Sequence, residues 1–228
     1  MTDVAGVAYD AVVLAGGRAA RLGGASKAGL VVDGARLLDR ALEASARARA
    51  VVVVGPPELA ESLPGPAAGA PGRGLVLTQE DPPFGGPVAG VAAGLRAVRA
   101  SSAPWVLLLA VDVPHAAEAI GFLERAVSRE PVDGAYVVRD GRPQWLVGLY
   151  RRAALDLVLG GIRVDGAAMR RLVGGLRCTE VPDPAGWSDD IDTPADAARL
   201  GAAAEATRFD ATADGPARGT DDDRKDPR

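Results

Sequence analysis

Short, nearly unbroken runs of apolar residues recur along the chain at Ala11 to Ala15, Val51 to Val54, Leu75 to Leu77, Val106 to Val111, Ala135 to Val138 and Leu146 to Tyr150. A strand with one wet face alternates apolar and polar positions, whereas most of these runs are apolar at consecutive positions, as strands covered on both faces require. Between them lie Arg36 to Arg47, Val88 to Ala100 and Ala116 to Arg129, rich in Ala, Leu and Arg, whose apolar positions fall at helical spacing. Strands alternating with helices predict right-handed crossovers and a single three-layer, Rossmann-like α/β domain on a mainly parallel sheet. Ligands of such sheets bind beyond the carboxyl ends of the strands, so the chemistry is expected just after the apolar runs.

Two segments fall outside this alternation. Pro64 to Gly74, crowded with Pro and Gly, reads as a surface loop. From about Ala206 the chain turns polar and runs to Thr220-Asp221-Asp222-Asp223-Arg224-Lys225-Asp226, which bounds the domain at residues 1–205 and predicts a disordered tail over 206–228. A chain of 228 residues, 48% of them hydrophobic, is long enough to bury one sizeable core. Its single cysteine, Cys178, excludes an internal disulfide framework and a Cys-cluster metal site, and fits a reducing compartment, the cytoplasm. No signal-like N-terminal segment and no run of membrane-spanning length is present, so neither secretion nor membrane insertion is expected. The net charge of −4, with basic residues dispersed, gives no footprint for nucleic acid, while a local cluster of Arg and Lys still suits a small anionic substrate.

That cluster follows the first apolar run. Leu14-Ala15 leads into Gly16-Gly17-Arg18-Ala19-Ala20-Arg21-Leu22-Gly23-Gly24, then Ser26-Lys27. Glycines tolerate tight, positive-φ backbone and let several N–H groups face an anion, and Arg18, Arg21 and Lys27 add positive charge over the same residues. The spacing fits neither a Walker A loop nor the dinucleotide G-x-G-x-x-G fingerprint. The residues alone also admit a plain glycine-rich β–α turn with surface arginines.

With Leu14-Ala15-Gly16-Gly17, Arg21-Leu22-Gly23 and Lys27 in place, the sequence resembles the nucleotidyltransferases related to molybdenum cofactor guanylyltransferase. The resemblance implies the nucleotide-diphospho-sugar transferase type of fold, a triphosphate wrapped by this loop, and Arg21 and Lys27 as its counter-charges. Gly16 and Gly17 favour GTP, since the resemblance associates the Gly-Gly pair with guanine and cytidylyl relatives carry Leu-Ala-Ala-Gly, with Ala-Gly at the third and fourth positions. Further along, Thr78-Gln79-Glu80-Asp81 and Gly85-Gly86-Pro87-Val88-Ala89-Gly90 resemble a second family element, which implies Asp81 on the guanosine and Gly86 and Gly90 close against the nucleotide. A Pro in a first helical turn accounts for part of that pattern without a ligand.

Asp112 ends the run Val106 to Val111, at the carboxyl edge expected of a buried strand, where a hard carboxylate can hold Mg2+ against phosphates. An Asp ending a strand before the Pro114 turn is also an ordinary surface feature. Its match to the family's Asp-Thr-Pro motif implies the metal role, although Val111 and Val113 replace the usual Cys and Thr. In Ser188-Asp189-Asp190-Ile191-Asp192-Thr193-Pro194, before a helix expected over Ala195 to Ala204, Asp192 or Thr193 reads as an N-cap. The segment also resembles a family stretch whose polar residue completes the metal shell, so Asp190 or Asp192 joins Asp112, with Asp where Asn is usual. Val54-Gly55 stands where a family Asn often contacts the nucleoside. Gly141 to Tyr150 resembles a strand lining the acceptor pocket, and Arg163 is either an acceptor contact or a solvated surface residue. His115 lacks partners for a base relay, and Trp105, Trp145 and Trp187 read as core or pocket wall.

The similarity spans roughly Val12 to Leu200 and implies an enzyme that moves a nucleoside monophosphate, GMP from GTP, to molybdopterin or another phosphorylated small acceptor, releasing pyrophosphate. Arg21, Lys27 and Asp112 are the expected catalytic residues, Leu14, Ala15, Gly16, Gly17, Asp81, Gly86 and Gly90 further nucleotide contacts, and Mg2+ the cofactor. Proteins of molybdenum cofactor synthesis or its acceptor proteins are implied partners. A cytidylyl or sugar-phosphate transferase of the same fold, or a silent nucleotide-binding protein, remain the alternatives.

Overall fold

The strand β1 (Tyr9–Leu14) explains why the apolar runs are unbroken. Tyr9, Ala11 and Val13 join one hydrophobic cluster and Val12 joins another. Successive side chains leave a strand on opposite faces, so a strand sandwiched between two cores is apolar on both, and the one charge in β1, the fully buried Asp10, is paired with Arg152 at 2.6 Å. The computed structural model describes residues 6–16, 27–64, 74–200 and 202–204. Its main sheet has seven strands in the spatial order β5 (Gly74–Thr78), β4 (Ala50–Val54), β1, β6 (Trp105–Ala110), β8 (Arg142–Arg151), β7 (Gly134–Arg139) and β9 (Cys178–Pro182). The helices α1 (Leu37–Ala44) and α3 (Ala117–Arg129) pack on one face. On the other lie α2 (Pro87–Ala97), α4 (Arg152–Gly160) and α5 (Met169–Val173), which completes three layers and the expected single α/β domain.

Every neighbouring pair in the sheet is parallel except the two made by β8, which runs against both β6 and β7. The reversal comes from a two-residue turn, Asp140 at φ 49° and Gly141 at φ 73°, the left-handed pair of a tight hairpin. The same Asp-Gly pair, Asp33 and Gly34, joins β2 (Leu30–Val32) to β3 (Ala35–Arg36) in a small second sheet. The helix expected over Ala195 to Ala204 is shorter than its alanines suggest. It ends as α6 (Pro194–Arg199), and β10 (Ala202–Ala204) pairs antiparallel with β2 instead, tertiary pairing overriding a modest local preference. The expected loop of Pro64 to Gly74 lies outside the described residues at 65–73, as does the tail over 206–228. Among the described residues no helix is long and apolar enough to cross a membrane.

Two devices set the shape of the sheet's carboxyl edge. The first is close approach of α2: a Cβ on Gly94 would stand 2.5 Å from Val12 Cγ1 and 3.3 Å from Val54 Cγ2, and one on Gly90 would stand 3.1 Å from Leu14 Cδ2. The second is the buried carboxylate of Asp183, just after β9. Its Oδ1 accepts from the amides of Ala185, Gly186 and Trp187, and its Oδ2 from the amide and hydroxyl of Ser188 at 2.8 and 2.7 Å. Burial alone would raise this carboxyl, but the bonds from Ser188, Trp187 and Gly186 outweigh it and hold the group below its ordinary range. Asp183 thereby folds the segment that delivers Asp190 and Asp192.

Gly94→Ala should destabilise the protein by about 1–2 kcal/mol in urea unfolding, because overpacking against the stiff Val12 exceeds the gain in helix propensity; a stabilised variant would contradict the packing. Asp183→Asn should cost about 2–3 kcal/mol at neutral pH. A carboxyl depressed in the folded state adds stability above its unfolded pKa and loses it as pH falls through the folded value, so the gap between wild type and variant should narrow in acid. A gap independent of pH would remove the charge from the explanation.

Candidate functional site

The parallel pairing continues one residue past the strands and gathers their ends on a common rim. Ala15 donates its amide to Val54 O at 2.8 Å, Gly55 to Thr78 O at 2.9 Å and Val111 to Leu14 O at 3.0 Å. Above this rim opens a cleft of about 870 Å³. Leu14, Ala15, Gly16, Lys27, Gly86, Gly90 and Asp112, all singled out from the sequence, line it. Gly17, Arg18 and Arg21 lie outside the described residues.

The glycines have separable jobs. Gly86, at φ 87°, is the N-cap of α2 and turns the chain into the helix, with Pro87 at the first position, where no N–H is needed. Gly90 donates its amide to Gly86 O at 3.1 Å, so its place on the wall rests on its lack of a side chain rather than on a free donor. Gly55, not expected as a site residue, has to be glycine, since a Cβ would stand 2.7 Å from Leu59 Cδ1 and 3.2 Å from the Ala15 carbonyl. On the β5 side, Gln79 and Glu80 line the cleft, whereas Asp81 is solvent-exposed and not part of its wall. Their position directly after β5 was the available signal, because residues following a parallel strand face the site.

At Asp112, on the wall of the cleft, three carboxylates converge. Asp112, Asp190 and Asp192 each offer an oxygen, all within 4.8 Å of one another. Ile191, fully buried, anchors the second pair and donates its amide to Asp112 O at 3.0 Å. In extended chain its two neighbours leave on the opposite side, which brings Asp190 and Asp192 together. The nearby aspartates are engaged elsewhere. Asp189 pairs with Arg139 at 3.2 Å and Arg199 at 3.0 Å, and Asp196 forms a capping box with the N-cap residue Thr193. Thr193 rather than Asp192 is thus the cap.

Lys27 enters this cluster from a single 3-10 turn, Lys27–Gly29, that precedes β2. Its Nζ donates to Asp112 Oδ2 at 2.7 Å and also to Asp192 Oδ1. Burial pulls the ammonium's pKa down, but the bonds to Asp112 and Asp192 prevail and leave it above its ordinary value. Asp190 is shifted up, first by burial and then by repulsion from Asp192 and Asp112. One ammonium against three carboxylates leaves the cluster short of positive charge, and a hard, divalent, oxygen-preferring cation such as Mg2+ matches that donor set.

The remaining candidates stand apart. Arg163 is exposed and paired with Asp165 at 3.2 Å, and His115 sits 3.8 Å from Glu118 ahead of α3. Trp105 is core beneath Arg151, Trp187 stacks on Phe122, and Trp145 stacks on Tyr136. From the stretch expected beside an acceptor, Leu146 on β8 reaches the cleft.

Comparison with known proteins places this geometry. The chain is 32% identical over 207 residues to the molybdenum cofactor guanylyltransferase of Acidiphilium cryptum, covering 86% of this chain and 95% of that one. It is 31% identical over 189 residues to a probable molybdenum cofactor guanylyltransferase of Opitutus terrae, covering 79% and 88%. Among solved structures, molybdopterin-guanine dinucleotide biosynthesis protein A from Archaeoglobus fulgidus superposes with a TM-score of 0.58 at 22% identity, over 84% of this chain and 96% of that one. The 2-C-methyl-D-erythritol 4-phosphate cytidylyltransferase from Thermus thermophilus does so with 0.59 at 21%, over 85% and 97%. Both structures share the fold. The family model described as the MobA-like NTP transferase domain matches residues 11–179, and the chain belongs to that family of nucleotidyltransferases.

Proposed function

We propose that this nucleotidyltransferase is a magnesium-dependent guanylyltransferase, moving GMP from GTP to the phosphate of molybdopterin in the cytoplasm. The observation that carries the reading is the convergence of Asp112, Asp190, Asp192 and Lys27 beside a cleft that Gly16, Lys27 and Asp112 line. The names of the two curated relatives favour guanine and the molybdopterin acceptor over the cytidylyl alternative.

In this reaction an oxygen of the acceptor phosphate forms a bond to the α-phosphorus of GTP, the bond from that phosphorus to the β-bridging oxygen breaks, and pyrophosphate leaves with the electron pair. A phosphate monoester is already ionised near neutrality, so no side chain has to remove a proton, and catalysis rests on alignment and charge. Asp112, Asp190 and Asp192 would hold Mg2+, which when bound neutralises phosphate charge. The backbone from Ala15 to Gly16 lets the polyphosphate approach the sheet edge, and Arg21 adds positive charge from the same loop. Lys27, poised between Asp112 and Asp192, is the cation for the leaving pyrophosphate. Leu146, across the cleft, belongs to the acceptor's side.

Lys27→Ala and Asp112→Asn should each lower pyrophosphate release from GTP and molybdopterin by two or more orders of magnitude with an unchanged circular dichroism spectrum; near-normal turnover of either purified variant contradicts its role. Chelation should abolish turnover, and added Mg2+ should restore it. Across GTP, CTP and UTP, only GTP should support rapid release, and a preference for CTP would transfer the protein to the cytidylyl class.

A further inference from the structure

A second concavity, of about 390 Å³, lies between α2 and α4 and shares no lining residue with the cleft. From α2 come Ala92, Leu95 and Arg96, and Arg99 follows just past the helix's C-cap. These are positions i, i+3, i+4 and i+7, one face of a helix. From α4 come Arg152, Asp156 and Leu159, again at helical spacing. The groove opens at the opposite end of the sheet from the cleft, for Arg152 binds Asp10, near the start of β1, and the Ala103 carbonyl ahead of β6.

The charge on these walls departs from that of the chain. Acidic residues outnumber basic ones by 30 to 26, yet the groove gathers three guanidinium groups against the single carboxylate of Asp156. Arg152 is fixed in place. Its Nη2 donates to the fully buried Asp10 at 2.6 Å and its Nε to Ala103 O at 3.3 Å, while the Ser101 hydroxyl donates to the other oxygen of Asp10 at 2.9 Å. Two of the five N–H donors are thereby committed, and the orientation of the guanidinium is set. Arg96 and Arg99 are exposed, and among the described residues neither side chain enters an ion pair or hydrogen bond. Leu95, Leu159 and Val164 add apolar surface beside the three cations.

We propose that this groove is a second binding site, for a small phosphate monoester. Its phosphate sits among Arg96, Arg99 and Arg152, and its organic part lies on Leu95, Leu159 and Val164. The guanidinium fork matches phosphate and carboxylate oxygens alike, but three forks suit the three terminal oxygens of a phosphate ester better than the two of a carboxylate. Arg152, already oriented by Asp10, gives the site a cation that needs no ordering when the ligand arrives. The volume falls at the lower end of the range for small-ligand sites, roughly 300–1,000 Å³. It is less than half that of the cleft. The helix α2 reaches both places, since Gly86 and Gly90 at its amino end line the cleft while Ala92 to Arg96 line the groove. A test therefore has to resolve the two ends of that helix.

The probe is phenyl phosphate, titrated at constant ionic strength into the isotope-labelled full chain and followed by amide NMR, with inorganic phosphate and phenol as controls. Saturable shifts should appear at residues 92–99 and 152–164, phenyl phosphate should bind more tightly than inorganic phosphate, and phenol should give none. Arg96→Ala and Arg99→Ala should each weaken phenyl phosphate by about 10-fold, with an unchanged circular dichroism spectrum and unchanged turnover in the absence of the probe. Arg96→Lys, which keeps the charge and loses the fork, should fall between wild type and Arg96→Ala. Shifts that never saturate, or that persist at full affinity in the double Arg96→Ala, Arg99→Ala variant, overturn the site. So do shifts confined to residues of the cleft, which would assign the probe to the catalytic centre. Equal affinity for inorganic phosphate overturns the monoester and leaves a bare anion site.

Discussion

Three carboxylates within 4.8 Å of one another repel, although the exposure of Asp190 and Asp192 lets solvent screen part of that repulsion. Lys27 answers that repulsion with one charge, binding Asp112 and Asp192 at once. The arrangement persists because other parts of the chain hold the aspartates in place. Ile191 is sunk in the core and tied to Asp112 through the backbone, Asp183 folds the approach, and Thr193 and Asp196 fix the exit. A cluster that neutralises only part of its own charge suits a cation, and under the proposed function its place at the rim of a parallel sheet would set that cation beside a polyphosphate.

The sheet contributes direction as much as rigidity. The parallel strands β4, β1 and β6 end on the same edge, so Gly55, Gly16 and Asp112 come from separate parts of the chain to one rim. Glycine at positions 55, 90 and 94 keeps neighbouring backbone and α2 close to that rim, at the cost of positions where a single methyl group has no room. The antiparallel β8 then brings a different wall, with Leu146, to the far side. A cleft with two unlike sides suits a reaction that joins two unlike substrates.

Much of this was legible in the sequence, for identifiable reasons. Burial on both faces favours apolar residues on both sides of a strand, which is why the runs at Val106 to Val111 and Ala11 to Ala15 stood out. The carboxyl-edge rule located Gly16 and Asp112, and the motif resemblance located Lys27. Strand direction was missed at β8 because apolarity carries no sign, although the Asp140-Gly141 pair was a hairpin signal in plain view. Asp81 was favoured over Gln79 and Glu80 because a motif aligns residue types, whereas a wall is chosen by where the chain turns after Thr78. The division of labour among Asp183, Asp189, Asp190, Asp192 and Asp196 could not be read from spacing. It depends on Arg139, Ser188 and Thr193 as partners, and Arg139 is remote in sequence.

The most direct measurement is a crystal structure with a non-hydrolysable GTP analogue and Mn2+, using anomalous scattering to find the metal. The account predicts a metal peak bound by Asp112 together with Asp190 or Asp192, the triphosphate along the loop that begins at Gly16, and Lys27 Nζ turned from its carboxylates toward phosphate oxygen. A metal bound elsewhere, or an analogue seated outside the cleft with Lys27 still bridging Asp112 and Asp192, would contradict it.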